Sequence, residues 1–330
     1  MTSGTSPHKA LVLQKTSVLQ KTLVHGAILL LAVLSLALLL AGCARNKVPH
    51  EFHDKARPAV EQRDGYIVDH RHPAQGHSSR IHFLVLHYTD ENQADSLRIL
   101  TGPHVSSHYL VTLPTRHLQD QPVILQLVDE SRRAWHAGDS RWGQRSRLND
   151  TSIGIEIVNT GPNHPWVGSH APDTTPPGLE WMPYPDKQID ALIALSRDII
   201  KRHHIPPQHV LAHSDIAPER KLDPGPAFPW KRLHDAGIGA WPEPERVDHY
   251  RARFTAAPID LATLQRALVA WGYTLDISGE LDDTTRATLR AFQMHFRPTD
   301  YRGLPDAETS AILWALLERY QDDAWQELDS

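Results

Sequence analysis

The chain predicts an α/β protein with a central mixed β-sheet flanked by helices, followed by a small C-terminal three-helix bundle. Three observations carry that expectation. Apolar runs of strand length, rich in β-branched residues, recur between residues 81 and 158. One long amphipathic segment then precedes a further run, Val210-Leu211-Ala212. From residue 259 onward, apolar residues recur instead at helical spacing. Strands alternating with a long helix build a layered sheet, whereas successive helical segments must cover one another.

Residues 1–43 precede the fold. Lys9, Lys15 and Lys21 come before an apolar run from Ala27 to Ala41, the basic-then-apolar order of an export signal. That run is shorter than the roughly 20 residues a spanning helix needs. It ends Leu40-Ala41-Gly42-Cys43, and Cys43 is the single cysteine of the chain. This ending resembles a bacterial lipobox, in which the cysteine is acylated and becomes the new N-terminus. The resemblance implies a membrane partner reached through a lipid anchor. Ala44 follows, not the aspartate of inner-membrane retention, so in a Gram-negative host the outer membrane facing the periplasm is the expected location. Residues 44–79 are polar and read as a tether with one extended piece at Tyr66-Ile67-Val68.

The elements then follow in order. Ile81 to Tyr88 is a strand buried on both faces, and Ser106 to Val111, Val123 to Val128 and Ile153 to Val158 are further strands. Thr160 to Pro185 is a long Pro- and Gly-rich loop carrying Trp166 and Trp181, and loops of this length often border a functional groove. Asp186 is placed to cap a helix whose stripe is Ile189, Leu192, Ile193, Leu195, Ile199 and Ile200. That helix must stop before Pro206-Pro207. Trp241-Pro242-Glu243-Pro244 opens a linker over 242–257, dividing an α/β domain at 80–241 from a helical domain at 258–322. The latter holds Leu261, Leu264, Leu268 and Trp271 on one helix, with further helices opened by Asp283 and Asp306. A formal net charge of -5 argues against a polyanion-binding surface, so no nucleic-acid partner is expected.

Chemistry concentrates at three places. Each of two apolar strands delivers a histidine, His87 and His213, and Asp223 stands before the rigid Pro224-Gly225-Pro226. Two imidazoles and a carboxylate can hold a zinc ion with a fourth position open for water. Lys221 adds a cation where an oxyanion could form. The 22 histidines are scattered, so spacing alone leaves His87 and His213 open to structural roles and Asp223 open to a turn role.

Leu86-His87-Tyr88-Thr89, Ser152-Ile153-Gly154-Ile155-Glu156, Ala212-His213-Ser214-Asp215 and Lys221-Leu222-Asp223-Pro224-Gly225 resemble, in order, the motifs of the amidase-2 family. These are zinc-dependent N-acetylmuramoyl-L-alanine amidases, and the resemblance spans roughly Arg80 to Trp241. The lipobox, Trp135-His136-Ala137-Gly138 and Arg147-Leu148-Asn149-Asp150 are similar to its lipoprotein branch. The resemblance implies one Zn2+ on His87, His213 and Asp223, with Glu156 and Lys221 catalytic. It also implies Arg147 gripping carboxylates of the stem peptide and His136 lining the groove. The substrate would be peptidoglycan or muropeptides. Leu264-Gln265, Gly272-Tyr273, Gly279, Thr285 and Ala291-Phe292-Gln293 are similar to the peptidoglycan-binding type 1 module.

Bland alternatives stand beside these readings. Glu156 could face outward with Ile155 and Ile157 in the core, Lys221 could be a solvated loop residue, and the helical domain a plain stabilising appendage. The same fold also serves non-catalytic peptidoglycan recognition proteins, which the filled ligand and catalytic positions disfavour. A zinc peptidase acting within the stem peptide is the third reading, although H-E-x-x-H is absent.

Overall fold

The computed structural model describes residues 58–163 and 180–329. The export signal, Cys43 and Trp166 lie outside the described residues. The chain divides into two compact units, Met1–Pro73 and Ala74–Ser330. In the first, β1 (Val60–Arg63) and β2 (Tyr66–Asp69) pair as an antiparallel hairpin within the segment read as a tether.

The second unit opens with β3 (Phe83–Tyr88), α1 (Gln93–Leu100) and β4 (Tyr109–Val111). A small hairpin of β5 (Arg116–Leu118) and β6 (Gln121–Val123) leads to β7 (Leu125–Gln126). A second hairpin, β8 (Arg141–Trp142) and β9 (Arg145–Ser146), precedes β10 (Ser152–Ile157). Then come α2 (Asp186–His203), β11 (Val210–Ala212), the short α3 (His213–Ile216) and α4 (Trp230–Asp235). The sheet order is β11-β3-β10-β4-β7; β7 is antiparallel to its neighbour and the other pairings are parallel. The sheet is mixed, as the alternation of strands and helix predicts.

Alternation along β3 sends Leu84 and Leu86 to one face and Phe83, Val85 and His87 to the other. The first face, with Ile153, Ile155 and Ile157 of β10, packs on Ile189, Leu192, Leu195 and Ile199 of α2. Each such fully buried side chain contributes about 1.5–3 kcal/mol relative to exposure. Pro185 is the cap residue of α2 and Asp186 its first helical residue, where its charge favours the positive end of the helix dipole.

The second face is covered by the C-terminal helices: α5 (Pro244–Ala256), α6 (Leu261–Trp271), α7 (Asp283–Phe296), α8 (Ala307–Tyr320) and α9 (Asp322–Asp329). Phe83, Val85 and Leu211 share one core with Leu264, Leu268, Tyr273, Phe292 and Trp314. The three helices expected over 258–322 are present as α6, α7 and α8, with α5 before them and α9 after. One expectation is corrected. Residues 242–257, read as a linker from their prolines, carry α5, whose Tyr250 and Phe254 are buried and whose Phe254 ring meets Trp314 at 5.1 Å. Pro244 occupies the first turn, where its missing N–H costs nothing, so the residue that suggested a break begins a helix. Asp260, Asp282 and Asp306 cap the next three helices, accepting from Thr263, Thr285 and Thr309 amides at 2.7–2.8 Å.

Candidate active site

Parallel pairing sets the site. Glu156 on β10 stands directly beside His87 on β3, so both side chains leave the same face. Ala212 on β11 is registered with Leu86, which brings the next residue, His213, alongside His87. His213 opens α3, and the Ser214 amide donates to the Asp223 carbonyl at 3.0 Å, drawing the loop after α3 back over the strand ends. Tyr184 Oη donates to the Pro224 carbonyl at 2.8 Å and fastens that loop from the α2 side.

Three ligand-type atoms converge as a result. His87 Nδ1 lies 2.9 Å from His213 Nδ1 and 3.1 Å from Asp223 Oδ2, and His213 Nδ1 lies 3.0 Å from the same oxygen. All three residues are buried. Their far sides assign the protons. The Ser152 hydroxyl donates to the Leu148 carbonyl at 2.7 Å, so its oxygen accepts from His136 Nε2–H at 3.1 Å. His136 Nδ1 is then free to accept from His87 Nε2–H at 3.0 Å, leaving a bare lone pair on His87 Nδ1. His213 Nε2 faces the Ala137 carbonyl at 3.3 Å, which only accepts, so His213 Nδ1 is bare as well. Two lone pairs and a carboxylate oxygen thus point at one another without protons between them. That arrangement repels itself unless a cation lies among the three, and the donor set is one that suits zinc.

Burial, aided by the neighbouring His213, brings His87 down to about 4 against the opposing pull of Asp223, so the ring is neutral at ordinary pH. Burial and the surrounding imidazoles hold His136 well below the ordinary histidine range too. Asp223 is lowered from the usual carboxylate range against the opposing effect of burial, which requires positive charge on its His87–His213 side, the same requirement the bare nitrogens impose. Glu156 is pushed well above the usual carboxylate range, by burial first and the Asp223 charge second, with Lys221 opposing. Its Oε2 is buried without a hydrogen-bond partner. A raised, unpartnered carboxyl of this kind is the sort that clusters at functional sites.

A cavity of about 900 Å3 opens over these groups, lined by Glu156, His213, Asp223 and Lys221 together with Trp135 and, from α7, Arg290. Lys221 faces this cavity, and its charge acts on both His87 and Glu156. His82, His203, His204 and His209 do not join the converging set.

A family model described as N-acetylmuramoyl-L-alanine amidase matches residues 77–226. The N-acetylmuramoyl-L-alanine amidase AmiD of Escherichia coli K12 is 47% identical over 290 residues, covering 87% of this chain and 96% of that one. The chain belongs to the N-acetylmuramoyl-L-alanine amidase family. A solved complex of E. coli AmiD with the substrate anhydro-N-acetylmuramic acid-L-Ala-D-gamma-Glu-L-Lys matches with TM-score 0.70 and 45% identity, covering 79% of this chain and 98% of that one. AmpDH3 of Pseudomonas aeruginosa, solved with an anhydromuramic pentapeptide, matches with TM-score 0.67 and 41% identity, covering 77% and 98%. A second family model, a peptidoglycan binding domain, matches residues 259–313.

In this amidase one residue expected at the substrate, Arg147, stands outside the cavity, and the other, His136, lines it. Arg147 is in the left-handed region at φ 59, where it ends the β8–β9 hairpin, and its side chain is 73% exposed near Asp150. It is not among the described residues that line the cavity. His136 does line the wall, but both its nitrogens are spent on His87 and Ser152, so it has none to offer a substrate. Its place depends on Gly154, where an added Cβ would lie 2.4 Å from the His136 ring. Ser152 and Gly154 thus matter as supports for His136, a role that motif position alone does not reveal. Trp135, half-exposed at the cavity mouth, and Arg290, contributed by the helical region, were also missed.

Proposed function

We propose that this chain hydrolyses the amide bond between N-acetylmuramic acid and L-alanine in peptidoglycan or muropeptides, using one zinc ion. The observation that carries the proposal is the convergence of two proton-free imidazole nitrogens and a carboxylate oxygen in the same cavity as Glu156 and Lys221. His87 Nδ1, His213 Nδ1 and Asp223 Oδ2 would hold the ion. Zinc, when bound, makes water nucleophilic near neutral pH and polarises the substrate carbonyl.

The other tasks fall to the protein. Glu156 accepts a proton from the attacking water and returns it to the departing alanine nitrogen, a role that suits a carboxyl raised towards neutrality. Lys221 stabilises the oxyanion that develops on the substrate carbonyl, a type of contribution worth about 2.7–4 kcal/mol per donor. His136 and Ser152 act through His87, fixing its tautomer. The cavity is at the upper end of small-ligand pockets, which suits a sugar bearing a peptide. The muramyl peptides named with the solved AmiD and AmpDH3 complexes support the same substrate class.

Digestion of purified muropeptides tests this reading. The expected products are a free lactyl sugar and an intact stem peptide, lost on chelation and regained with zinc. Peptide fragments, or a product yield indifferent to chelation, would refute it.

The proposal extends to Cys43 as an acylation site that tethers the enzyme to a membrane, the outer membrane in a Gram-negative host. It is supported by the basic-then-apolar order that ends on the chain's single cysteine. Among the described residues no helix is long and apolar enough to cross a membrane. Cys43→Ser should abolish labelling of the exported protein by a radioactive fatty acid; persistent labelling would place the lipid elsewhere.

A further inference from the structure

Asp215 lies two residues beyond His213, in α3, and is buried. Its carboxylate takes three donors. The Ala212 amide donates to Oδ2 at 2.8 Å, closing the corner between β11 and α3 from which His213 departs. The other two come from the C-terminal helices. Tyr273 Oη, just after α6, donates to Oδ1 at 2.6 Å, and His295 Nδ1, on α7, lies 2.7 Å from Oδ2. Both rings are themselves fixed. His295 stacks on Trp230 at 3.7 Å, and Tyr273 meets Trp142 edge-on at 4.9 Å. Nearby, Thr284 of α7 donates to Glu219 at 2.8 Å, in the loop that leads to Lys221 and Asp223.

A module that only bound cell wall would need no such contact. Burying a carboxylate is unfavourable unless its partners are in place, and removing one partner leaves the charge uncompensated. Here two of the partners are supplied by the helical region, and the segment they hold carries one ligand, His213, while its Ser214 amide holds the loop of another, Asp223.

We propose that the C-terminal helical region is a positioning element of the metal centre. Tyr273 and His295 hold Asp215, and through it the β11–α3 corner, where His213 and Asp223 meet His87. The proposal rests on the reading of those three residues as zinc ligands, and wall binding by the same region is a separate property.

The test is zinc affinity of the full-length protein, measured by competition with a chromophoric chelator, with the absorption spectrum of the cobalt-loaded protein as a second readout. Tyr273→Phe combined with His295→Leu should weaken zinc binding about 10–100-fold, the usual effect of losing outer support. His295→Asn, whose amide can donate in place of Nδ1, should restore most of the affinity. Phe254→Leu loosens α5 against Trp314 of α8, in the same helical region, without touching Asp215 and should lower the melting temperature while leaving zinc affinity near wild type. An unchanged affinity in the folded double variant would overturn the proposal, as would an equal loss in Phe254→Leu. If the double variant does not fold, Tyr273→Phe alone decides: an altered cobalt spectrum supports the proposal, and unchanged spectrum and affinity overturn it. A wild-type protein that fails to bind zinc would instead remove the ligand reading on which the proposal depends.

Discussion

Glu156→Gln is expected to keep its zinc and lose about 10²–10⁴-fold in kcat, the range associated with a general acid–base group. The substitution preserves size and removes only the capacity to take a proton. Glu156 sits beside His87 in the strand register but is not one of the converging ligand groups, so metal content should be unchanged. The missing partner at Oε2 makes the substitution structurally mild, because no existing hydrogen bond to that oxygen is broken. Turnover on a defined muropeptide and zinc stoichiometry by elemental analysis, measured on the same sample, provide the check. Wild-type turnover would remove Glu156 from the chemistry, and loss of zinc would make it a ligand or a structural residue.

The second large effect is expected at His213. Apparent zinc binding energies of about 10–16 kcal/mol shared among four donors assign roughly 2.5–4 kcal/mol to each, or about a 10²–10³-fold loss of affinity for His213→Ala. His136→Phe is the informative companion. It removes no donor atom, yet it frees the far nitrogen of His87 and so unfixes the tautomer, for an expected loss of about 10–100-fold. Chelator competition on both variants distinguishes the roles. Equal losses would mean that His136 is itself a ligand, and unchanged affinity in His213→Ala would undo the site.

Much of this was legible in the chain because strand chemistry is local. The apolar run around Leu84-Val85-Leu86 and the β-branched run from Ile153 to Ile157 mark two central strands, and Val210-Leu211-Ala212 is found as a strand over those same residues. A histidine at the end of each of two buried strands is visible in one dimension. That they meet depends on a register that pairs Ala212 with Leu86, and no local signal specifies it. Helix α1 escaped the sequence reading because its eight residues, half of them apolar, span only about two turns, although Asn92, which caps it, was a usable clue. Arg147 was placed at the stem peptide by resemblance alone, and its backbone turn leaves the side chain exposed to solvent near Asp150. His136 presented the converse difficulty. Its neighbours in sequence say nothing of Ser152 and His87, which are reached only across the folded sheet.

The shared core of sheet and C-terminal helices has a consequence for how such enzymes can be recombined. A helical segment joined by a free linker is a cassette, transferable between proteins by cutting at its ends. Here the cut at Trp241 would pass through a continuous interior, exposing Phe83, Val85 and Leu211 on one side and Tyr273 and Phe292 on the other. A replacement segment would have to arrive with its own counterparts for Trp142, Trp230 and Asp215. The two matched regions are separable as names along the chain but would be inherited, and would have to be engineered, as one piece.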